Sequence, residues 1–479
     1  MGAFENGWYR EIVYSSHCCF VGERRWAFLL PFMRKEGIEM RRESRSWIWN
    51  PKAECMSDDE RAKVQSERLI NCVNRMYEHV PYYRKRMEEK GVEPGDIKSI
   101  ADLPKLPFSD KFDFRDNYPF GTLAVPRTEL VRVHASSGTT GKMKVVGYTA
   151  NDVELWNEVL CRAMARAGVQ KGDLVHIAYG YGLFTGGLGP HFACAKLGAV
   201  AIPVSGGNTA RQIQILREWK PEVIMCTPTY ALHIADQLQE AGIDKSELNL
   251  KTGIFGAEAW TTEMRDQIEE RLNLRAFDIY GLTEVCGPGV GCCCDQSDLI
   301  HIESDHFIPE IVDPETGEPL PEGQLGELVF SSVSKEGVPL LRYNTHDLTR
   351  IYYGKCACGR TSPRIEKVTG RADDMMIIRG VNVFPSQIEA VLLAHSEVEP
   401  HYLIYLDRVN NLDRVTVKVE MNPSFFSDSI RAIEATERML EGEIASMTGI
   451  HAKIKLVEPR SLPRSEGKMK RVIDERFKK

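Results

Sequence analysis

The chain has 479 residues, with 61 Lys plus Arg against 68 Asp plus Glu for a net charge of −7, and is 43% hydrophobic and 27% charged. The mild acidity argues against a nucleic-acid binder, and the ordinary globular balance excludes wholesale disorder. The longest apolar run, 192–204, is cut by Lys196 and falls short of the roughly 20 residues of a membrane span, so neither a transmembrane helix nor a membrane partner is expected.

Near the N-terminus, Arg24 and Arg25 precede a short apolar run, 26–33, that lacks a small-residue cleavage site. Thirteen cysteines without a secretory signal point to a reducing, cytoplasmic compartment. Met40 stands before a stretch that reads like an ordinary start. Residues 1–45 are therefore expected to be an extension, non-native or poorly packed. A large domain over 46–371, β-rich in 318–371, and a small one over 372–479 are expected to follow.

The apolar spacing of Val64, Leu69, Ile70, Val73 and Met76 predicts helix within 57–90. Strands and helices then alternate: strand 174–179, helix 187–197, strand 200–204, helix 210–219, strand 223–226, helix 229–241, strand 252–255, helix 262–272 and strand 276–279. Such alternation predicts an α/β fold with parallel strands joined by crossover helices, and ligands bound beyond the strands' carboxyl ends. After Gly317 short β segments take over, among them 328–331 and 348–353. From about 375 the order strand, helix, two strands, helix, strand describes a small α+β unit.

Ser136-Ser137-Gly138-Thr139-Thr140-Gly141-Lys142-Met143-Lys144 concentrates hydroxyls, glycines and two lysines in nine residues. Glycine lets backbone N–H groups approach an anion, hydroxyls donate to phosphate oxygens, and lysine adds charge, so the segment suits a polyphosphate. It is not a Walker A loop, because Ser136 stands where that spacing needs glycine. A ligand-free Ser/Thr/Gly hairpin is the plainer alternative.

This segment resembles the phosphate loop of the adenylate-forming enzymes: acyl-CoA synthetases, luciferases and peptide-synthetase adenylation domains. Four more motifs match in order: Tyr280-Gly281-Leu282-Thr283-Glu284, Asp347 within 340–349, Gly370-Arg371-Ala372-Asp373-Asp374, and Gly467-Lys468-Met469-Lys470-Arg471. Segments 179–189, 255–260 and 462–468 are further similar to the phenylacetate-CoA ligase family. The resemblance covers roughly residue 47 to the C-terminus.

The resemblance implies a large N-terminal domain and a small, mobile C-terminal one that swings between half reactions about a hinge at Asp373. It implies Lys468 as the catalytic lysine between carboxylate and α-phosphate, and Glu284 as the carboxylate for Mg²⁺ on ATP. Tyr280 would pack on adenine and Asp347 would hold the ribose. Gly281, Thr283, Arg371 and the 136–144 loop complete the nucleotide site. Tyr179, Phe184, Gly256 and Ala257 would surround an aryl ring. Two departures stand out: Met143 where the family generally has proline, and His346 beside Asp347. Taken singly, each residue also has a plainer reading: Lys468 as part of a basic tail, Tyr280 as a strand-end aromatic, Arg371 and Asp373 as a surface pair.

Cys292, Cys293 and Cys294 precede His301, and Cys356-Ala357-Cys358-Gly359 follows. Three thiolates and an imidazole suit tetrahedral Zn²⁺, against the alternative of free buried cysteines. The resemblance points to Cys294, His301, Cys356 and Cys358 as a structural site. The expected activity is an ATP-dependent aryl-CoA ligase using coenzyme A, with a homodimer left open. Transfer of the acyl group to a carrier protein or an amine, or an inactive zinc-bearing binding protein of the same fold, are the alternatives.

Overall fold

In the computed structural model the described residues are 44–136, 143–368, 370–371, 376–378, 381–409, 412–425, 430–464 and 471–476. Arg45–Lys479 form one compact unit. The predicted N-terminal helix is two helices, Asp58–His79 and Pro81–Lys90. Pro81 disfavours helical geometry at Val80, which sits at φ −116°, ψ 91° between them. Ser57 and Glu60 form a capping box on the first helix.

A nine-stranded sheet organises the unit. Val200–Ile202, Leu174–Ile177, Val223–Cys226, Thr252–Gly256 and Arg275–Leu282 lie side by side in that order, all parallel. The crossover helices Leu188–Leu197, Thr209–Glu218, Pro228–Glu240 and Thr262–Leu272 follow the predicted alternation. Val223–Cys226 and Thr252–Gly256 are buried along their whole length, which suits central strands covered on both faces.

Beyond the fifth strand the sheet turns antiparallel, adding Gly287–Cys294, Ser297–Ile302, Arg364–Ile365 and Ile351–Tyr352. In this sheet antiparallel pairing thus starts at Gly287, ahead of the change of style expected after Gly317. Gly287–Cys294 is buried on both faces except at Pro288, so no period-two alternation marks it in the sequence. Gly281 permits the close return of the chain, since a Cβ there would lie 1.9 Å from the Gly287 carbonyl oxygen. The helix Ala150–Arg166, packed on this region, escapes the periodicity reading because its C-terminal half is buried all round.

A second, antiparallel sheet has the order Phe307–Val312, Gly326–Ser332, Leu340–Thr349, Gly370–Arg371. The expected strand 348–353 takes in the whole of Ile351–Tyr352 but only the end of Leu340–Thr349. Two irregularities in its pairing and positive φ at Arg342 and His346 break the alternation that would have revealed the rest. The C-terminal part has its own core, with Tyr402, Ile404, Val417, Ile444 and Ile454 between a four-stranded sheet and the helices Pro385–Leu393 and Ile430–Thr448. The α/β class with a β-rich part and a C-terminal α+β unit agrees with expectation. Among the described residues no helix is long and apolar enough to cross a membrane.

Candidate active site

The turn after strand Arg275–Leu282 gathers the principal candidates at the carboxyl end of the sheet. The Tyr280 hydroxyl donates to Asp347 Oδ2 at 2.5 Å, which joins the two sheets. Asp347 is 5% exposed, and its amide donates to Thr345 Oγ1 at 3.0 Å. Its backbone pairs with Arg371. The Tyr280 ring leans on Phe330, with centroids 6.1 Å apart. His346 adopts φ +60°, and its Nδ1 lies 3.2 Å from Glu327 Oε1, so this departure is turned towards Glu327.

Glu284 is 3% exposed, and its carboxylate pairs with the Lys144 ammonium. Lys144 starts the strand Lys144–Tyr148, which pairs antiparallel with Arg132–Ser136, so Ser136 stands opposite Lys144. The Ser136 hydroxyl is buried without a hydrogen-bond partner among the described residues. Thr283 Oγ1 lies 3.4 Å from Thr185 Oγ1. A desolvated carboxylate beside a lysine is suited to sharing a cation with an anionic ligand. Ser137, Gly138, Thr139, Thr140, Gly141, Lys142, Asp373 and Lys468, and the side chain of Arg371, lie outside the described residues.

The expected ring-binding residues lie on three segments of the chain. Tyr179 follows strand Leu174–Ile177, and burial pushes its phenol well above the usual range. Gly256 packs against the next strand, where a Cβ would lie 2.2 Å from the Ile279 carbonyl oxygen, and Ala257 adopts φ +72°. Phe184 is 52% exposed, on a loop beside strand Arg132–Ser136, where the Leu183 carbonyl accepts from the Ala135 amide at 3.0 Å.

Cys294, His301, Cys356 and Cys358 place their ligand atoms within 4.8 Å of one another. Cys294 Sγ lies 3.8 Å from Cys356 Sγ, and Cys358 Sγ lies 3.6 Å from His301 Nε2. Zinc bonds of about 2.3 Å to sulfur and about 2.0–2.1 Å to nitrogen give tetrahedral edges of about 3.8 Å and about 3.5–3.6 Å, so the donor set fits that ion. His301 Nδ1 faces Ser362 Oγ at 3.1 Å, which leaves Nε2 turned to the thiols. Cys293 is committed elsewhere, its sulfur accepting from the Asp278 amide at 3.1 Å.

Sequence reasoning missed the supports of this site. Tyr148 donates to the carbonyls of Thr283 and Cys286, and buried Lys335 donates to that of Glu284. Neither belongs to a compositional cluster, and the only sequence signal is a lone lysine in a polar loop after an apolar strand.

The chain matches the family model for AMP-binding enzymes over residues 73–335 and that for the AMP-binding enzyme C-terminal domain over 380–476. It is 47% identical over 441 residues to phenylacetate-coenzyme A ligase from Thermus thermophilus, covering 89% of this chain and 99% of the relative. It is 49% identical over 429 residues to phenylacetate-coenzyme A ligase from Pseudomonas putida, covering 88% and 96%. A crystal structure of 2-hydroxyisobutyryl-CoA ligase in the postadenylation state, in complex with R3-HIB-AMP, superposes with a TM-score of 0.85 at 30% identity, covering 94% and 96% of the two chains. The same ligase in the thioesterification state, with 2-HIB-AMP and CoA, gives 0.66 at 31% identity, covering 91% and 93%.

Proposed function

The chain belongs to the AMP-binding enzyme family, and from that premise we propose that it is an ATP-dependent aryl-CoA ligase that activates phenylacetate or a related arylacetic acid. The acid's carboxylate attacks the α-phosphorus of ATP, giving an acyl adenylate and pyrophosphate. The thiol of coenzyme A then attacks the carbonyl, giving the thioester and AMP. The observation that carries this reading is the convergence of Tyr280, Glu284 and Asp347 at one turn, with Tyr280 and Asp347 67 residues apart in sequence yet hydrogen-bonded. In it Asp347 holds the ribose, Tyr280 faces adenine, and Gly281 and Thr283 shape the turn. The 136–144 loop with Lys144 cradles phosphates, and Arg371 joins from the adjoining strand. Glu284 holds Mg²⁺, whose charge, when bound, offsets that on the phosphoryl oxygens.

Tyr179, Gly256 and Ala257 form the floor for the aryl ring, with Phe184 at its margin. Asp373 serves as hinge, and Lys468 bridges carboxylate and α-phosphate. Cys294, His301, Cys356 and Cys358 hold a structural zinc, because four protein ligands leave no open position for chemistry.

The test is AMP formation across a panel of aromatic acids, with and without coenzyme A. Phenylacetate-dependent pyrophosphate exchange without coenzyme A and thioester formation with it are expected. Adenylate formation without any thioester would instead favour a carrier-protein or amine acceptor, and no acid-dependent AMP at all would overturn the reading. Lys468→Ala should abolish adenylate formation and spare thioester formation from a supplied acyl adenylate.

A further inference from the structure

We propose that Lys335, acting with Tyr148, is a positioning residue that fixes the 283–286 turn so that the Glu284 carboxylate is presented to the nucleotide's metal. This rests on the reading of Glu284 given above. Lys335 is 2% exposed, although lysine is seldom fully buried unless it is paired. Its ammonium donates to the Glu284 carbonyl at 3.4 Å and lies 4.7 Å from the centroid of the Tyr148 ring. The Tyr148 hydroxyl reaches the carbonyls of Thr283 at 3.3 Å and Cys286 at 3.1 Å. Three carbonyls of one short turn are therefore held from outside by two buried donors.

The two donors are themselves fixed. Tyr148 ends the strand that begins with Lys144, the partner of the Glu284 carboxylate, so one strand grips the turn at both its side chain and its backbone. Immediately after Lys335, the amides of Glu336 and Gly337 donate to Asp152 at 2.7 and 2.8 Å. Burial lowers the Lys335 pKa, while nearby Asp152, Cys286 and Glu284 act in the opposite sense. A side chain that only filled space could be methionine. An ammonium aimed at a backbone carbonyl instead sets the turn's conformation before ligand arrives.

The test is Lys335→Met, which keeps the length and removes the charge. The Mg²⁺ concentration that half-saturates adenylate formation should rise about 10- to 100-fold, as when a group supporting a metal ligand is lost. Thermal stability should change little, and thioester formation from supplied acyl adenylate and coenzyme A should keep its rate. Unchanged Mg²⁺ dependence, or an equal fall in both half reactions, would overturn the proposal. Glu284→Gln separates the two readings. If it leaves the Mg²⁺ dependence unmoved, the assignment of Glu284 fails; if it moves the dependence and Lys335→Met does not, only the present inference fails. Should Lys335→Met not fold, Tyr148→Phe removes the other donor and takes the same measurement.

Discussion

Arg166 donates to Glu303 at 2.7 Å in the interior of the unit, both side chains being essentially inaccessible. Arg166 also reaches Glu54 at 3.4 Å, and Glu54 pairs with Arg360 at 2.5 Å. Arg162 lies 3.4 Å from Glu303 and 2.8 Å from Asp305. The network ties the short helix Pro51–Glu54, the helix Ala150–Arg166, the segment after strand Ser297–Ile302 and the stretch beside Cys358. Burial raises the Glu303 pKa, Arg166 and Arg162 oppose it, and the carboxylates of Glu54 and Asp305 add to the rise.

Removing one partner strands the others without water. Arg166→Met is expected to cost about 3–5 kcal/mol in denaturant unfolding. The exposed pair Lys85–Glu89 is the comparison, and Lys85→Ala should cost about 0–1 kcal/mol. Equal costs for the two variants would show that the buried network contributes nothing special.

Cys294 and Cys356 come from different segments and meet at 3.8 Å, so a metal there cross-links the sheet to the 356–362 stretch. Protein purified without chelator is expected to carry about one zinc per chain. Cys356→Ser should lose the metal and lower the melting temperature, because metal ligation adds to folding free energy. Cys292→Ser should keep the metal. Zinc that survives the first substitution and vanishes with the second would refute the ligand set.

The parallel half of the large sheet was legible because each buried strand is a short apolar run punctuated by a helical period, as in 223–226 followed by 229–241. The 280–284 turn and the Cys/His cluster were legible as motifs, with Cys294 chosen through family resemblance. Less legible was whatever depends on tertiary burial: Gly287–Cys294 shows no alternation, and Arg166, Glu54 and Lys335 are charged residues that local sequence assigns to the surface. Bulges hid Leu340–Thr349. Phe184 was grouped with Tyr179 through family resemblance, and its exposure follows from the fold of its loop beside Ala135.

His401 Nε2 lies 3.1 Å from Asp236 Oδ2, and Arg271 reaches Asp236 Oδ1 at 2.5 Å, so the C-terminal part rests on the helix Pro228–Glu240. Arg460 adds a contact to Glu240 at 2.5 Å on the same helix. The fold that carries these contacts superposes on the postadenylation structure with a TM-score of 0.85 and on the thioesterification structure with 0.66. A hydrogen bond to a charged group contributes about 1.5–3 kcal/mol, so Asp236→Ala should slow pyrophosphate exchange about 10-fold or more. Thioester formation from a supplied adenylate should be as fast as before or faster. Equal slowing of both would mean the contact supports the fold and not one arrangement of it.

Glu420 collects four hydrogen bonds from the stretch that leads to the 467–471 motif. Its oxygens accept from the Leu462 amide at 2.8 Å, the Arg460 amide at 2.9 Å and two Arg464 nitrogens at 2.8 and 2.7 Å. Burial would raise the Glu420 pKa, but Arg464 and the two amides outweigh it and hold the carboxyl below its ordinary value. A depressed carboxyl stabilises the fold fully above its unfolded pKa of about 4.3, and that contribution is lost as pH falls through the lower folded pKa. Wild-type protein should therefore lose stability steeply on acidification below about pH 4.3, and Glu420→Gln should be less stable at pH 7 with a shallower acid limb. Because 460–464 runs directly into the segment carrying Lys468, the same variant should slow adenylate formation and leave thioester formation from supplied adenylate near its original rate. Thermal melts from pH 3 to 7, paired with the two half-reaction assays, check both consequences. An acid limb identical in slope to the wild type would remove Glu420 as the titrating clamp.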